Sequence, residues 1–233
     1  MDALLIAGTD SGVGKTVLTS ALAAYWQRYH PSRLALFKPV QCGSGYAQDQ
    51  YPDGDRQLYS QLFNLDQTPD DINPLHFAAS LAPPIAAERE GRRIELEYLW
   101  RAFEQLTQQR SFVLVEGWGG LGSPITAETT LADLAWDWRI PVVLVVPVLP
   151  GAIPQTVANV ALARHARIHL KGIVLNCVQP CHANDRDDWA AVELLQALTN
   201  KPVLGCLPYL ADPTDVNKLV QIASNLEIER ILS

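Results

Sequence analysis

Residues 3–16 read ALLIAGTDSGVGKT: an apolar run, a loop carrying Gly8, Gly12 and Gly14, then Lys-Thr. A buried strand that feeds a glycine-rich turn and then a helix builds a cradle for phosphate. Glycines take the positive φ that turns backbone N–H groups inward, and the helix N-terminus adds partial positive charge at the same spot. Lys15 would reach the outer phosphates and the Thr16 hydroxyl would bind Mg²⁺. The usual spacing is G-x-x-x-x-G-K-[ST]. Here Thr9 stands where the first glycine belongs and the glycine is Gly8, so the loop is one residue longer.

Further apolar runs follow at 34–37, 112–116, 141–146, 172–176 and 202–207. They are rich in Val, Ile and Leu without polar alternation, the pattern of parallel strands covered on both faces. Helical spacing lies between them. Residues 17–30 put Leu18, Leu22 and Tyr25 on one face, and residues 94–108 do so with Leu96, Leu99 and Phe103. Residues 153–166, 187–199 and 214–230 are further helices. Strands alternating with helices predict an α/β fold, a doubly wound and mostly parallel sheet with helices on both faces. No repeat, low-complexity tract or linker divides residues 1–233, which read as a single domain. Residues 41–54, QCGSGYAQDQYPDG, carry no periodicity and predict a mobile loop of the functional kind.

With 48% hydrophobic and 18% charged residues the chain has enough apolar material for a sizeable core. A net charge of −7 argues against nucleic acid or an anionic membrane as partner. No apolar run reaches the roughly 20 residues of a bilayer span, and the start MDALLIAG lacks the basic region and cleavage site of a secretory leader. The cysteines Cys42, Cys177, Cys181 and Cys206 have no framework spacing, so reduced thiols and a cytoplasmic location are expected. Cys177, Cys181 and His182 lack a second ligand pair at zinc spacing, and no metal is expected there.

Three more segments could carry chemistry. In FKPVQCGSG, Lys38 follows the second strand, at the strand ends where open α/β sheets place their ligand crevice. A cation there would stabilise a transferring phosphoryl group or a carboxylate-like nucleophile. In VEGWGG, Glu116 resembles the strand-end acid that holds Mg²⁺ in phosphate-loop enzymes. Asp53 or Asp55 of PDGD could complete that metal shell. In VLNC and LPYL, the Asn176 amide could pair with a purine edge and Pro208 would leave carbonyls free to accept bonds.

GTDSGVGKT, FKPVQCGSG, VEGWGG, VLNC and LPYL, in this order and at these intervals, closely resemble the dethiobiotin synthetases over nearly the whole chain. The hallmark loop of that family, G-T-D-T-x-V-G-K-T, has the same extra residue. The resemblance implies a seven-stranded, mostly parallel P-loop sheet, a homodimer, and closure of a cyclic urea on 7,8-diaminononanoate with CO₂ and MgATP. It implies catalytic roles for Lys15, Lys38 and Thr9. Gly12, Val13, Gly14, Lys15, Thr16, Val17, Glu116 and Gly119 would contact the nucleotide, with Asn176, Pro208, Tyr209 and Leu210 at its adenine end. Thr16, Asp55 and Glu116 would hold Mg²⁺ with Asp10 nearby. Thr9, Lys38, Cys42, Gly117 and Gly120 would line the diamine site.

Four residues depart from the family pattern, all on the substrate side: Cys42 for a serine, Pro84 for a histidine, Trp118 for a small residue and Pro154 for an asparagine. They keep open a non-catalytic or regulatory nucleotide-binding protein. Partitioning and division-site ATPases also read G-G-V-G-K-T, but carry a lysine five residues before the loop lysine, where this chain has Asp10. Amidating synthetases of corrinoid precursors share the segments but carry a further domain.

Overall fold

The computed structural model describes residues 2–30, 33–43, 53–182 and 184–233. Six strands form one parallel sheet: β1 (Ala3–Gly8), β2 (Leu34–Phe37), β5 (Phe112–Gly120), β6 (Val142–Pro147), β7 (Leu170–Asn176) and β8 (Val203–Leu207), in the order β2-β5-β1-β6-β7-β8. Successive side chains of each strand enter opposite cores. Leu5 and Ala7 of β1 and Val113 and Val115 of β5 pack on one face, and Leu4, Ile6, Phe112 and Leu114 on the other. Burial on both faces is why these strands read as continuous apolar runs. Helices α5 (Leu96–Gln109), α6 (Leu131–Asp137), α7 (Ala152–His165) and α9 (Val192–Thr199) cover the first face. Helices α1 (Lys15–Tyr29), α10 (Val216–Ser224) and α11 (Ile228–Leu232) cover the second.

The strand count differs from the seven implied by the family resemblance. β2 stops at Phe37 because Pro39 has no N–H to donate to a ladder. The chain resumes two residues on as β3 (Val40–Cys42), which pairs in parallel with β4 (Leu75–Phe77) as a separate two-stranded sheet. A seventh line of chain is therefore present, joined through β3 rather than to the main sheet. Residues 41–43, expected as loop, are the end of β3 and the residue after it; most of the rest of the expected mobile loop, 44–52, lies outside the described residues.

Helix limits move where tertiary contacts intervene. The buried ridge of α1 is Leu18, Leu22 and Trp26, and Tyr25 of the expected face is only partly buried. The expected helix 214–230 is two helices, because the Glu227 N–H donates to the Leu204 carbonyl of β8 at 2.8 Å. The expected helix 187–199 divides into α8 (Asp185–Trp189) and α9, with the buried Ala190 leaving the helical region at φ −141°. Four helices were not expected from the sequence: α2 (Asp55–Leu62), α3 (Pro69–Ile72), α4 (Pro83–Arg89), which packs on β3 and β4, and α6. Among the described residues no helix is long and apolar enough to cross a membrane.

Candidate active site

The carboxyl ends of the parallel strands bring the sequence-selected residues to one edge of the sheet. Between them lies a cavity of about 950 Å³. Gly12, Gly14, Lys15, Thr16 and Val17 line it from the loop after β1, Lys38 and Cys42 from β2 and β3, and Asp55 from the start of α2. Glu116, Gly117, Trp118 and Gly119 reach it from β5, Asn176 from β7, and Pro208, Tyr209 and Leu210 from the segment after β8.

The longer loop has a steric reason. A Cβ on Gly8 would fall 2.5 Å from Val13 Cγ2 and 2.7 Å from the Asp10 carbonyl, so the loop folds back over its first glycine. Lys15 Nζ donates to that same Asp10 carbonyl at 2.8 Å, and Asn176 Nδ2 clips the loop by donating to the Val13 carbonyl at 2.9 Å. The buried Asn176 amide thus spends one proton on the loop, a task the sequence did not signal.

Charge concentrates beside the loop. Lys38 is buried and its ammonium bonds Asp55 Oδ2 and, at 2.8 Å, Glu116 Oε1. The Thr16 hydroxyl meets the same two oxygens, at 3.5 Å and 3.0 Å. Burial acts to lower the Lys38 pKa, but the adjacent carboxylates outweigh it and hold the lysine charged, above its usual value. Burial and the neighbouring Glu116 charge raise Asp55 despite Lys38. Burial alone would raise Glu116 too, yet the Lys38 charge and bonds from Lys38 and Tyr59 hold it below the usual range.

Thr16, Asp55 and Glu116 are hard oxygen donors of the kind Mg²⁺ takes. Asp55 Oδ1 is also buried without a hydrogen-bond partner. Their arrangement fits a magnesium nucleotide. Of the two acids in PDGD, Asp55 is the buried one facing Glu116, while Asp53 is exposed beside Arg56. Asp10 is not brought to this group: it is exposed, and its carboxylate accepts from the Ser11 N–H at 2.6 Å.

Thr9, Val13 and Gly120 stand behind the cavity wall rather than on it. Thr9 and Gly120 touch, since a Cβ on Gly120 would lie 2.8 Å from the Thr9 carbonyl, and the buried Thr9 hydroxyl has no partner. Glu116 does not end its strand as expected. β5 runs on through Gly120, with a register shift against β1 between Ile6 and Gly8 and a positive φ of 66° at Gly119. Such an irregularity re-aims backbone beside a site. Of the departures from the family pattern, Cys42 and Trp118 line the cavity; Pro84 lies in α4 and Pro154 in the first turn of α7, off the cavity wall. Burial, then the Glu90 charge, pushes the Cys42 thiol up to about 12, so it is a neutral group there.

Two residues escaped sequence reasoning. Gln41 Oε1 accepts from the Asp55 N–H at 3.2 Å and its Nε2 donates to the Gly43 carbonyl at 3.2 Å, fixing where α2 begins. Tyr59 is buried and its hydroxyl donates to Glu116 Oε2. The signal for Tyr59 was its position four residues after Asp55, one helical turn on the same face.

Burial lowers Lys15 to about 8, with the Lys38 charge acting in the same direction and Glu116 opposing. Between about pH 8 and the ordinary 10.5 the folded protein therefore holds Lys15 neutral where the unfolded chain would protonate it. This group lowers stability below pH 8, and the penalty fades as pH rises towards 10.5. Phosphate binding needs the charged form, so ATP affinity is expected to fall about fivefold between pH 8 and 9. Titration of a fluorescent ATP analogue across pH 7–9.5 measures it; a flat profile contradicts the assignment.

A family profile described as an AAA domain matches residues 2–217. The ATP-dependent dethiobiotin synthetase BioD of Gloeothece citriformis is 51% identical over 233 residues, covering 100% of this chain and 99% of that protein. Its namesake in Crocosphaera subtropica is 47% identical over 232 residues, covering 99% of this chain and 100% of that protein. Among solved structures, the MinD cell division protein of Aquifex aeolicus superposes with a TM-score of 0.61 at 14% identity, over 98% of this chain and 96% of that one. That likeness is one of fold.

Proposed function

The chain belongs to the ATP-dependent dethiobiotin synthetase family, and from that premise we propose that it closes the cyclic urea of dethiobiotin on 7,8-diaminononanoate, consuming CO₂ and MgATP. The observation that carries the assignment is the buried Lys38 ammonium between Asp55 and Glu116, at the mouth of a phosphate loop and open to a cavity of ligand size.

One amine of the diamine takes up CO₂ as a carbamate. A carbamate oxygen attacks the γ-phosphorus, the β–γ bridge breaks and ADP leaves. The second amine then attacks the carbonyl carbon, and phosphate departs as the ring closes. Lys15 and the loop N–H groups hold the phosphates, and Lys38 faces the carbamate and the transferring phosphoryl oxygens. Two unit charges about 4 Å apart gain roughly 4 kcal/mol at an effective dielectric near 20, enough for one lysine to matter greatly. Thr16, Asp55 and Glu116 would hold Mg²⁺, which neutralises charge on the phosphate oxygens. Cys42 and Gly117 would face the diamine, with Thr9 and Gly120 in the layer behind them, and Asn176, Pro208, Tyr209 and Leu210 would face the adenine. Exclusion of water by the bound substrates would protect the labile carbamic–phosphoric anhydride. The protein acts as a single P-loop domain, as a homodimer and in the cytoplasm.

The test is phosphate release from MgATP and bicarbonate, with and without the diamine. Diamine-dependent release, with ring-closed product seen by mass spectrometry, is expected. ATP binding without diamine stimulation would overturn the substrate assignment and turn attention to Cys42 and Trp118.

A further inference from the structure

We propose that Tyr59 is a positioning residue for the metal–nucleotide site, acting through Glu116. The proposal rests on the metal role given to Glu116 above. It starts from how α2 is anchored. Gly54 takes φ 72°, a Cβ there would lie 1.7 Å from Gln41 Nε2, and the Asp55 N–H is tied to Gln41 Oε1. The first turn of α2 is therefore fixed against β3, and Asp55 and Tyr59, four residues apart, project from the same face. Asp55 turns to Lys38 while the Tyr59 hydroxyl reaches across to β5 and donates to Glu116 Oε2.

The division of labour on Glu116 follows. Oε2 is bonded by Tyr59, while Oε1 accepts from Lys38 Nζ at 2.8 Å and from Thr16 Oγ1 at 3.0 Å. A carboxylate held at one oxygen by a fixed donor presents the other in a set direction. Hydrogen bonds of this kind behind a metal-binding carboxylate set its orientation, and losing one lowers metal affinity by about 10–100-fold. Tyr59 is suited to the task. Its ring is buried among Ile72, Phe63 and the α1 side chains of the second core, so the hydroxyl has little freedom. Core packing alone requires only the ring; a hydroxyl placed among two carboxylates is what packing leaves unexplained.

Tyr59→Phe isolates the hydroxyl because the ring and its packing stay. Mn²⁺ binding to the complex with a non-hydrolysable ATP analogue is followed by electron paramagnetic resonance, beside Glu116→Gln and the double variant. Tyr59→Phe is expected to weaken Mn²⁺ about 10–100-fold, to leave metal-free analogue binding unchanged, and to add nothing in the Glu116→Gln background. Unchanged Mn²⁺ affinity in Tyr59→Phe, full additivity of the two losses, or a Glu116→Gln protein that binds Mn²⁺ normally each overturns the proposal. The titration needs no turnover. Failure of the diamine assay with Mn²⁺ coupling intact would therefore fault the substrate assignment and leave the role of Tyr59 standing.

Discussion

Lys38→Met is expected to lose about 10³-fold in turnover, as removal of a preorganised charge at a reacting oxygen does, while ATP affinity stays within about threefold. The two effects separate because Lys15 and the loop backbone, which line the cavity from the end of β1, would hold the nucleotide phosphates, whereas Lys38 arrives from the end of β2 beside Asp55 and Glu116. The same change carries a second signature. Both carboxylates are buried, and without Lys38 they face each other uncompensated, a loss of about 3–5 kcal/mol for a broken buried pair. Each folded-state carboxylate pKa then rises above its unfolded value, so the penalty grows as pH rises and shrinks towards acid, where protonation relieves it. Lys38→Met should therefore melt well below the parent at pH 8, closer to it at pH 5, and recover with MgCl₂. Thermal melts at both pH values, beside phosphate release and nucleotide titration, check this. Equal loss of turnover and ATP binding would make Lys38 a structural residue of the loop rather than a reacting-site cation.

What was legible in the sequence lies where the apolar runs stop, at a strand end for all but Glu116, which sits within β5. Lys15, Thr16, Lys38, Glu116 and Asn176 each follow or close a continuous apolar run, and parallel strands bring their carboxyl ends to one edge of the sheet whatever the intervening chain does. Asp55 could be narrowed only to two acids, because what selects it is remote: a positive φ at Gly54 and a bond from its N–H to Gln41, fourteen residues earlier. Tyr59 was hidden behind the same ambiguity. Where α2 begins decides which side chain points at Glu116, and nothing local marks that start. The break between α10 and α11 was invisible for a related reason, being made by a bond from Glu227 to Leu204 on another element. The extra loop residue was legible as a family mark, but its cause, the close approach of Val13 and Asp10 to Gly8, is a three-dimensional fact.

The glycines of the loop make the sharpest contrast in the site, and the expected result is that Gly14→Ala weakens ATP far more than Gly12→Ala. Both take left-handed backbone, φ 96° at Gly14 and 73° at Gly12, so alanine at either position carries about 1–2 kcal/mol of strain. Their surroundings differ. A Cβ on Gly12 meets nothing within 4 Å, whereas one on Gly14 would fall 1.9 Å from Asn176 Nδ2 and 2.8 Å from its Cγ. Asn176 would have to withdraw, breaking its 2.9 Å bond to the Val13 carbonyl, and a buried polar group left unpaired costs about 1–3 kcal/mol more. Gly12→Ala should then raise the ATP dissociation constant about tenfold, and Gly14→Ala about a hundredfold or more. Trimming the obstacle tests the cause. In an Asn176→Ala background the added methyl has room, so Gly14→Ala there should weaken binding only by the strain shared with Gly12→Ala. Calorimetric titration of the parent, the three single variants and the double variant with MgATP measures the contrast and the cycle. A full hundredfold further loss in that background would mean that Gly14 is required for its backbone shape alone, and that the contact with Asn176 plays no part.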